Sequence, residues 1–477
     1  MAQQDTLHVA YLGPEASFSH QAALELFPTG GTCTDTYADT YTDSSDGAGT
    51  YNPRVTLDPL PSFSSIFSAI QQASSSGTSA IVALSSSASC PPAQPIPFPT
   101  YDYAVIPIEN STNGSVVQVF DLLAQCGLHD NDNAALYPDL QVCAEYYLPV
   151  HHCLFIHPSQ STHAPSSSPS AVTGSHTESQ SPPLPDLPFP PISTLYTHPQ
   201  VWGQCGRFLS KHFPAGVVER IDLGSTSAAA ALVAREGGIA PPAATPTTTE
   251  ITTSSSTVPT PPPISPTMAA ISSRLAGRKH KLVCLAENIE DSPGENTTRF
   301  LVLRNSRRGP RYPAYHRALV SRLLWSPAPA PPSSADAVAM TTVREPVLAD
   351  QRAQAQAHIR HKSLITFTIP HTKPGALADA LAVFKTHGFN LTSIDTRPSR
   401  RRNWHYVFFV ECEEALSGTA PDGFGIDTGG VGGLHDGGDD DDALGQNLSS
   451  VLDGLAKYTE SLRYLGRFVD QLQSEEW

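Results

Sequence analysis

An alternating α/β unit followed by a smaller α+β block is the fold this sequence predicts, and three observations predict it. Short apolar strands alternate with amphipathic helices from residue 7 to residue 303. The last 110 or so residues instead order their elements βαββαβ, the ferredoxin-like arrangement. A Pro-rich stretch, SPAPAPPSSAD at 326–336, separates the two blocks.

Leu7–Leu12 is an apolar run stopped by Gly13-Pro14, which predicts a strand. At 17–27, Phe18, Ala22, Ala23 and Leu26 recur at helical spacing. At 62–73, Phe63, Ile66, Phe67 and Ile70 share one face. YAVIPI at 103–108 predicts a buried strand and 116–124 a helix. Segments 143–148 and 152–156 predict strands, 199–212 and 228–235 helices, and 283–286 and 299–303 strands. In the C-terminal block the expected order is strand 364–369, helix 375–386, strands 390–396 and 405–411, helix 448–458 and strand 464–468.

Of the 477 residues 39% are hydrophobic and 44 are Pro, so packed domains are diluted by segments that cannot build a core. The longest are 157–193 and 240–267. Shorter ones lie at 29–54, 85–99 and 415–445, the last holding Asp439–Asp442 without the spacing of a calcium loop. A net charge of −16 argues against nucleic acid and anionic lipid as partners. No apolar run reaches membrane-spanning length, and the start MAQQDTLHVAYLGP reads as neither signal nor transit peptide, so a cytoplasmic protein is expected. The eight cysteines contain no CxxC pair and are expected as thiols rather than metal ligands.

Three polar motifs stand at expected helix starts: Glu109-Asn110-Ser111-Thr112-Asn113-Gly114, Thr197-His198-Pro199-Gln200, and Gly224-Ser225-Thr226-Ser227. Each suits N-capping, and each also offers free N–H groups to a carboxylate or phosphate. A fourth, Asn296-Thr297-Thr298-Arg299-Phe300, leads into the strand FLVL, where Arg299 can fork a carboxylate or sit as a surface strand residue. GxSxG is absent, and Gly429-Gly430-Val431-Gly432-Gly433 follows no strand. Pattern alone therefore predicts a ligand-cleft α/β protein with a small appended domain.

The motifs GPEASFS (13–19), PIENSTNGSV (107–116), THPQVWGQC (197–205), STSAAA (225–230) and NTTRFLVL (296–303) resemble those of prephenate dehydratase, in the same order. GALADALAVFKTHGFNLTSIDTRPS (375–399) resembles the phenylalanine-binding ACT domain that follows the catalytic domain in that family. This chain has Ala16-Ser17 where the family has Gly-Thr, Thr197 where it has Ser, and Asp395-Thr396-Arg397-Pro398 where it has Glu-Ser-Arg-Pro. The resemblance implies a two-lobed, periplasmic-binding-protein-like catalytic domain over 6–305, a linker at 306–361 and an ACT domain at 362–470 carrying the acidic insertion 415–445. Lobe one is expected at about 6–109 and 286–305 and lobe two at about 110–285, with insertions near 157–193 and 240–267.

By the same resemblance the reaction is decarboxylating dehydration of prephenate to phenylpyruvate, in L-phenylalanine biosynthesis. Aromatisation drives it, so neither metal nor redox cofactor is implied. Thr298 is the implied catalytic hydroxyl. Asn110, Ser111, Gln204, Ser227, Arg299 and Phe300 are the implied substrate-binding residues. Two roles are open for Glu109: feeding the proton, or pairing with Arg299. L-Phenylalanine is the implied effector, its carboxylate at the helix start Gly375-Ala376-Leu377 and its ammonium near Asn390-Leu391, shared between subunits of a homodimer or homotetramer. Arogenate dehydration and non-catalytic amino-acid sensing are the alternatives, and intact Thr298-Arg299-Phe300 counts against the second.

Overall fold

A computed structural model describes residues 6–28, 53–72, 100–127, 135–163, 189–214, 216–237, 267–308, 315–316, 319, 360–414 and 446–472. The stretches 240–266 and 415–445, most of 157–193 and the Pro-rich stretch 326–336 lie outside the described residues.

The first lobe is built on strands β1 (Thr6–Leu12), β2 (Arg54–Leu60), β3 (Tyr103–Asn110), β4 (Gly114–Ser115), β5 (Leu140–Pro149) and β11 (Thr297–Asn305). Their order is β2-β1-β3-β11-β5, with β4 on β3. β1 to β3 run parallel, and β11 is antiparallel to both neighbours. Helices α1 (Phe18–Leu26), α2 (Phe63–Gln72) and α3 (Val117–Leu123) bury their apolar stripes against this sheet. β2 is an edge strand, which is why Asp58-Pro59 is tolerated within it.

The second lobe has the strand order β10-β6-β9-β7-β8. These are β6 (Cys153–Ile156), β7 (Ile192–Thr197), β8 (Glu219–Asp222), β9 (Thr267–Ser272) and β10 (Val283–Ala286). The expected helix 199–212 is two helices, α4 (Pro199–Gln204) and α5 (Gly206–His212), which meet at Cys205, outside helical φ/ψ. The remaining helices of this lobe are α6 (Thr226–Glu236) and α7 (Arg274–Lys279).

This topology corrects the expected lobe boundary. β5 pairs with β11 over nine positions and belongs to lobe one, so the chain crosses after Pro149, not at Asn110, and returns between Ala286 and Thr297. Strand character was readable at 143–148, but a strand's sheet is set by non-local pairing with a segment 150 or so residues away.

The C-terminal block is βαββαβ as expected: β12 (His361–Thr368), α8 (Ala376–Thr386), β13 (Phe389–Pro398), β14 (Tyr406–Glu414), α9 (Gln446–Leu455) and β15 (Ser461–Val469), in sheet order β13-β14-β12-β15. Period-two alternation gives the sheet two apolar faces. Ile365, Phe367, Phe408 and Val410 pack with Phe384 of α8 and Val451 of α9. Leu364, Val407, Phe409, Leu465 and Phe468 join one core with Ile106, Phe120, Leu140 and Val142 of the first lobe. The Phe120 and Phe409 rings meet edge to face at 5.1 Å. Two blocks separated in sequence are thus packed directly in space.

Candidate active site

Thr298 and Asn110 are opposed in register on β11 and β3, at the edge of the first lobe where the chain passes to the second. Asn110 Oδ1 accepts the N–H groups of Thr112 and Asn113 at 3.1 and 3.0 Å, which fixes which way its amide points. Its Nδ2 then donates to Thr298 Oγ1 at 3.0 Å, to Asn296 Oδ1 at 2.8 Å and to the Thr297 carbonyl at 3.2 Å. The Thr298 hydroxyl oxygen is therefore an acceptor here. Among the described residues it donates to no protein group, so its proton is available to a bound molecule.

Across the hinge, His152 lies three residues beyond Pro149, the register partner of Thr297. Its Nε2 is 2.8 Å from Gln204 Oε1. An amide oxygen only accepts, so the imidazole donates from Nε2 and the Gln204 amide nitrogen is left as a donor. Burial pushes the His152 imidazole below the ordinary histidine value, against the opposing influence of Gln204 and Glu290. The buried His152 Nδ1 and Asn296 Nδ2 have no protein partner among the described residues. Phe18 of α1 meets the His152 ring edge to face, joining the lobes beside this cluster.

Other expected site residues are placed differently. Ser111 Oγ donates to the Glu295 carbonyl at 2.5 Å and accepts from Thr297 N at 2.9 Å, stapling the Asn110 loop to the approach of β11. Ser227 Oγ donates across the lobes to the Glu15 carbonyl at 2.6 Å. Both hydroxyl protons are already committed. Phe300 is fully buried in the first-lobe core. Arg299 departs furthest from expectation: its guanidinium is buried between Glu145 of β5, at 2.6 Å, and Glu411 of β14, at 2.7 Å. Those two carboxylates, not Glu109, are its partners; Glu109 is exposed and joins Arg299 only through the backbone ladder.

Asn296 stood in the fourth motif without a role of its own, and His152 was not singled out from sequence. Asn296 had a signal, since it stands two positions before Thr298 and residues so spaced share a strand face. His152 had none, because its partner Gln204 is 52 positions away.

In the C-terminal domain, Gly375 caps α8 at φ +80°. With Ala376, Leu377, Ile369, Pro370, His371 and Lys373 it lines a pocket of about 470 Å³. Asn390 shares a sheet row with Glu413 and Lys362, at the opposite end of the strands from that pocket, some 20 Å away along six or seven residues. Within one chain Asn390 and Leu391 are not brought to Gly375. Arg397, in the segment Asp395-Thr396-Arg397-Pro398, reaches the catalytic lobe and pairs with Asp121 of α3 at 2.6 Å.

Residues 98–308 match the family model of prephenate dehydratase, and residues 363–417 match that of the ACT domain. The chain thus carries a prephenate dehydratase domain followed by an ACT domain. A probable prephenate dehydratase of Saccharomyces cerevisiae is 27% identical over 422 residues, spanning 85% of this chain and 87% of that one. A bifunctional chorismate mutase/prephenate dehydratase of Stutzerimonas stutzeri is 23% identical over 412 residues, spanning 86% of this chain and 67% of its own length. A prephenate dehydratase from Arthrobacter aurescens, solved in complex with L-Phe, has the same fold, with a TM-score of 0.51 at 18% identity over 99% of this chain and 92% of that one.

Proposed function

We propose that the chain converts prephenate to phenylpyruvate, with loss of carbon dioxide and water, and that L-phenylalanine regulates it through the ACT domain. The observation that carries the catalytic part is the hydrogen bond from Asn110 Nδ2 to Thr298 Oγ1, which turns the threonine proton outward. As the ring carboxylate leaves as carbon dioxide, its bonding pair enters the ring and the ring C–O bond breaks. The departing oxygen takes one proton and leaves as water. Thr298 is a weak acid, so it serves as donor and relay for a proton that comes ultimately from solvent. Accepting from Asn110 makes its O–H a stronger donor.

The unpartnered Asn296 Nδ2 and the Gln204 amide nitrogen supply donors for the pyruvyl carboxylate and carbonyl. Holding the leaving carboxylate tightly would stabilise the ground state and slow its departure, so binding energy belongs on the pyruvyl side chain. Aromatisation supplies the driving force, so catalysis is assigned to positioning and hydrogen bonding.

The effector reading is supported by the Gly375 pocket at the N-terminus of α8, where free N–H groups suit a carboxylate. We propose a homodimer as well, and the same geometry supports it. β13 pairs only with β14 among the described residues, and its outer edge is open to a second copy. Antiparallel pairing of two β13 edges would carry the partner's Asn390–Leu391 end toward this chain's Gly375. A cytoplasmic location agrees with the six cysteines among the described residues, all free thiols and five of them buried. No helix among the described residues is long and apolar enough to cross a membrane.

The test is to incubate purified protein with prephenate and, separately, with arogenate, and to identify the products. Phenylpyruvate from prephenate is the expected result. Phenylalanine from arogenate alone would reassign the substrate, and no product from either would sink the proposal.

A further inference from the structure

We propose that Arg299 is a positioning residue, which holds Thr298 in place by anchoring β11 to Glu411 of the ACT sheet, and does not bind substrate. The inference rests on the dehydratase reading of Thr298. Neighbouring residues on a strand point to opposite faces, so while Thr298 turns to Asn110, Arg299 turns to the ACT domain.

There Arg299 Nε donates to Glu145 Oε2 at 2.8 Å, and one terminal nitrogen reaches Glu145 and Glu411 at 2.6 and 2.7 Å. The Tyr147 ring lies 5.8 Å from its guanidinium carbon. Lys362 extends the cluster to Glu145 at 3.5 Å and Asp470 at 2.8 Å. All five charged side chains are at least nine-tenths buried. A planar guanidinium held by two carboxylates in a dry interface has one low-energy orientation, and losing the Glu411 carboxylate removes the partner that fixes it to the ACT sheet.

Glu411 belongs to the sheet face that packs on the first lobe, on the same strand as Phe409, which stacks edge to face on Phe120. The ACT sheet therefore acts as a rigid wall behind the strand that carries Thr298. Displacing a reacting group by about 1 Å costs on the order of a hundredfold in rate, so this wall can set turnover without touching substrate.

The experiment compares kcat and KM for prephenate in full-length Glu411→Gln, Arg299→Lys and Asp470→Asn, with thermal unfolding of each. Glu411→Gln keeps the shape and removes the charge; Arg299→Lys keeps the charge and loses the fork. Both are expected to lower kcat by about tenfold or more with KM within about twofold. Asp470→Asn weakens the same buried cluster at its far side, leaving both carboxylates on Arg299, and is expected to lower Tm with kcat unchanged. Wild-type kcat in either of the first two variants would overturn the proposal. So would a raised KM at unchanged kcat in Arg299→Lys, which would make Arg299 a substrate ligand. So would a fall of kcat in Asp470→Asn matching that in Glu411→Gln, which would reduce the cluster to general stability. A wild-type protein inactive on prephenate would overturn the dehydratase reading itself, and this proposal with it.

Discussion

Asn110 is oriented from behind by two backbone N–H groups, and it in turn orients Thr298. Asn110→Ala should therefore lower kcat by roughly tenfold to a thousandfold, the range for a lost oriented donor in a reacting site, and steady-state kinetics with prephenate will measure it. At the lobe contact, Ala16 sits at φ +63°, a conformation that suits the glycine usual at this position. The cost of about 1 kcal/mol for a Cβ in the left-handed region is offset by burying the methyl between Ala230 and Ala276, worth about 0.8 kcal/mol. That partial offset makes the departure from the family a cheap one. His152 carries a pH consequence. Its folded-state pKa is lowered by burial, so as pH falls through about 6.5 the unfolded chain takes up the proton first. Its stabilising contribution is full above that pH and declines below it, with a slope of at most about 1.4 kcal/mol per pH unit. Urea unfolding between pH 7.5 and 5.5 should show a steeper loss in wild type than in His152→Gln; equal slopes would assign the pH dependence to other groups.

At Gly466 of β15 the ACT backbone packs directly on the backbone of the first lobe. A Cβ there would stand 2.0 Å from the Val142 carbonyl oxygen of β5, and the backbone is at φ +147°. Backbone cannot retreat as a side-chain tip can, so Gly466→Ala should destabilise the protein by about 1–3 kcal/mol through overpacking. Chemical unfolding checks it, and an unchanged midpoint would mean that the domains separate at little cost. The elements themselves were unevenly legible. The βαββαβ block was readable because β12 and β14 alternate between two apolar faces, although that alternation did not say that one face meets another domain. β2 was missed beside a long diluted stretch, with Asp58-Pro59 inside it, and β9 was missed at the end of a Thr/Pro tract. The candidate site was half legible: Asn110 and Thr298 carry a local motif, while the role of Arg299 depends on Glu411, 112 positions away.

Taken as a molecule, this is a two-lobed unit whose lobes meet at the 13–17 turn and whose first lobe shares a core with the ACT sheet. The segment 164–188 is rich in Ser and Pro and joins the region after β6 to β7. Loop length enters closure entropy only logarithmically, so deleting it should change stability by under about 1 kcal/mol and leave turnover intact. Loss of folded, active protein would give that segment a structural role. The central claim is that the outward-turned proton of Thr298 assists departure of the ring hydroxyl. It is tested most directly by phenylpyruvate formation from prephenate in Thr298→Ala and Thr298→Ser, with folding verified for both. The account predicts a loss on the order of 10²–10⁴ in kcat for the alanine variant and retention of most activity in the serine variant; a folded alanine variant turning over at the wild-type rate would contradict it.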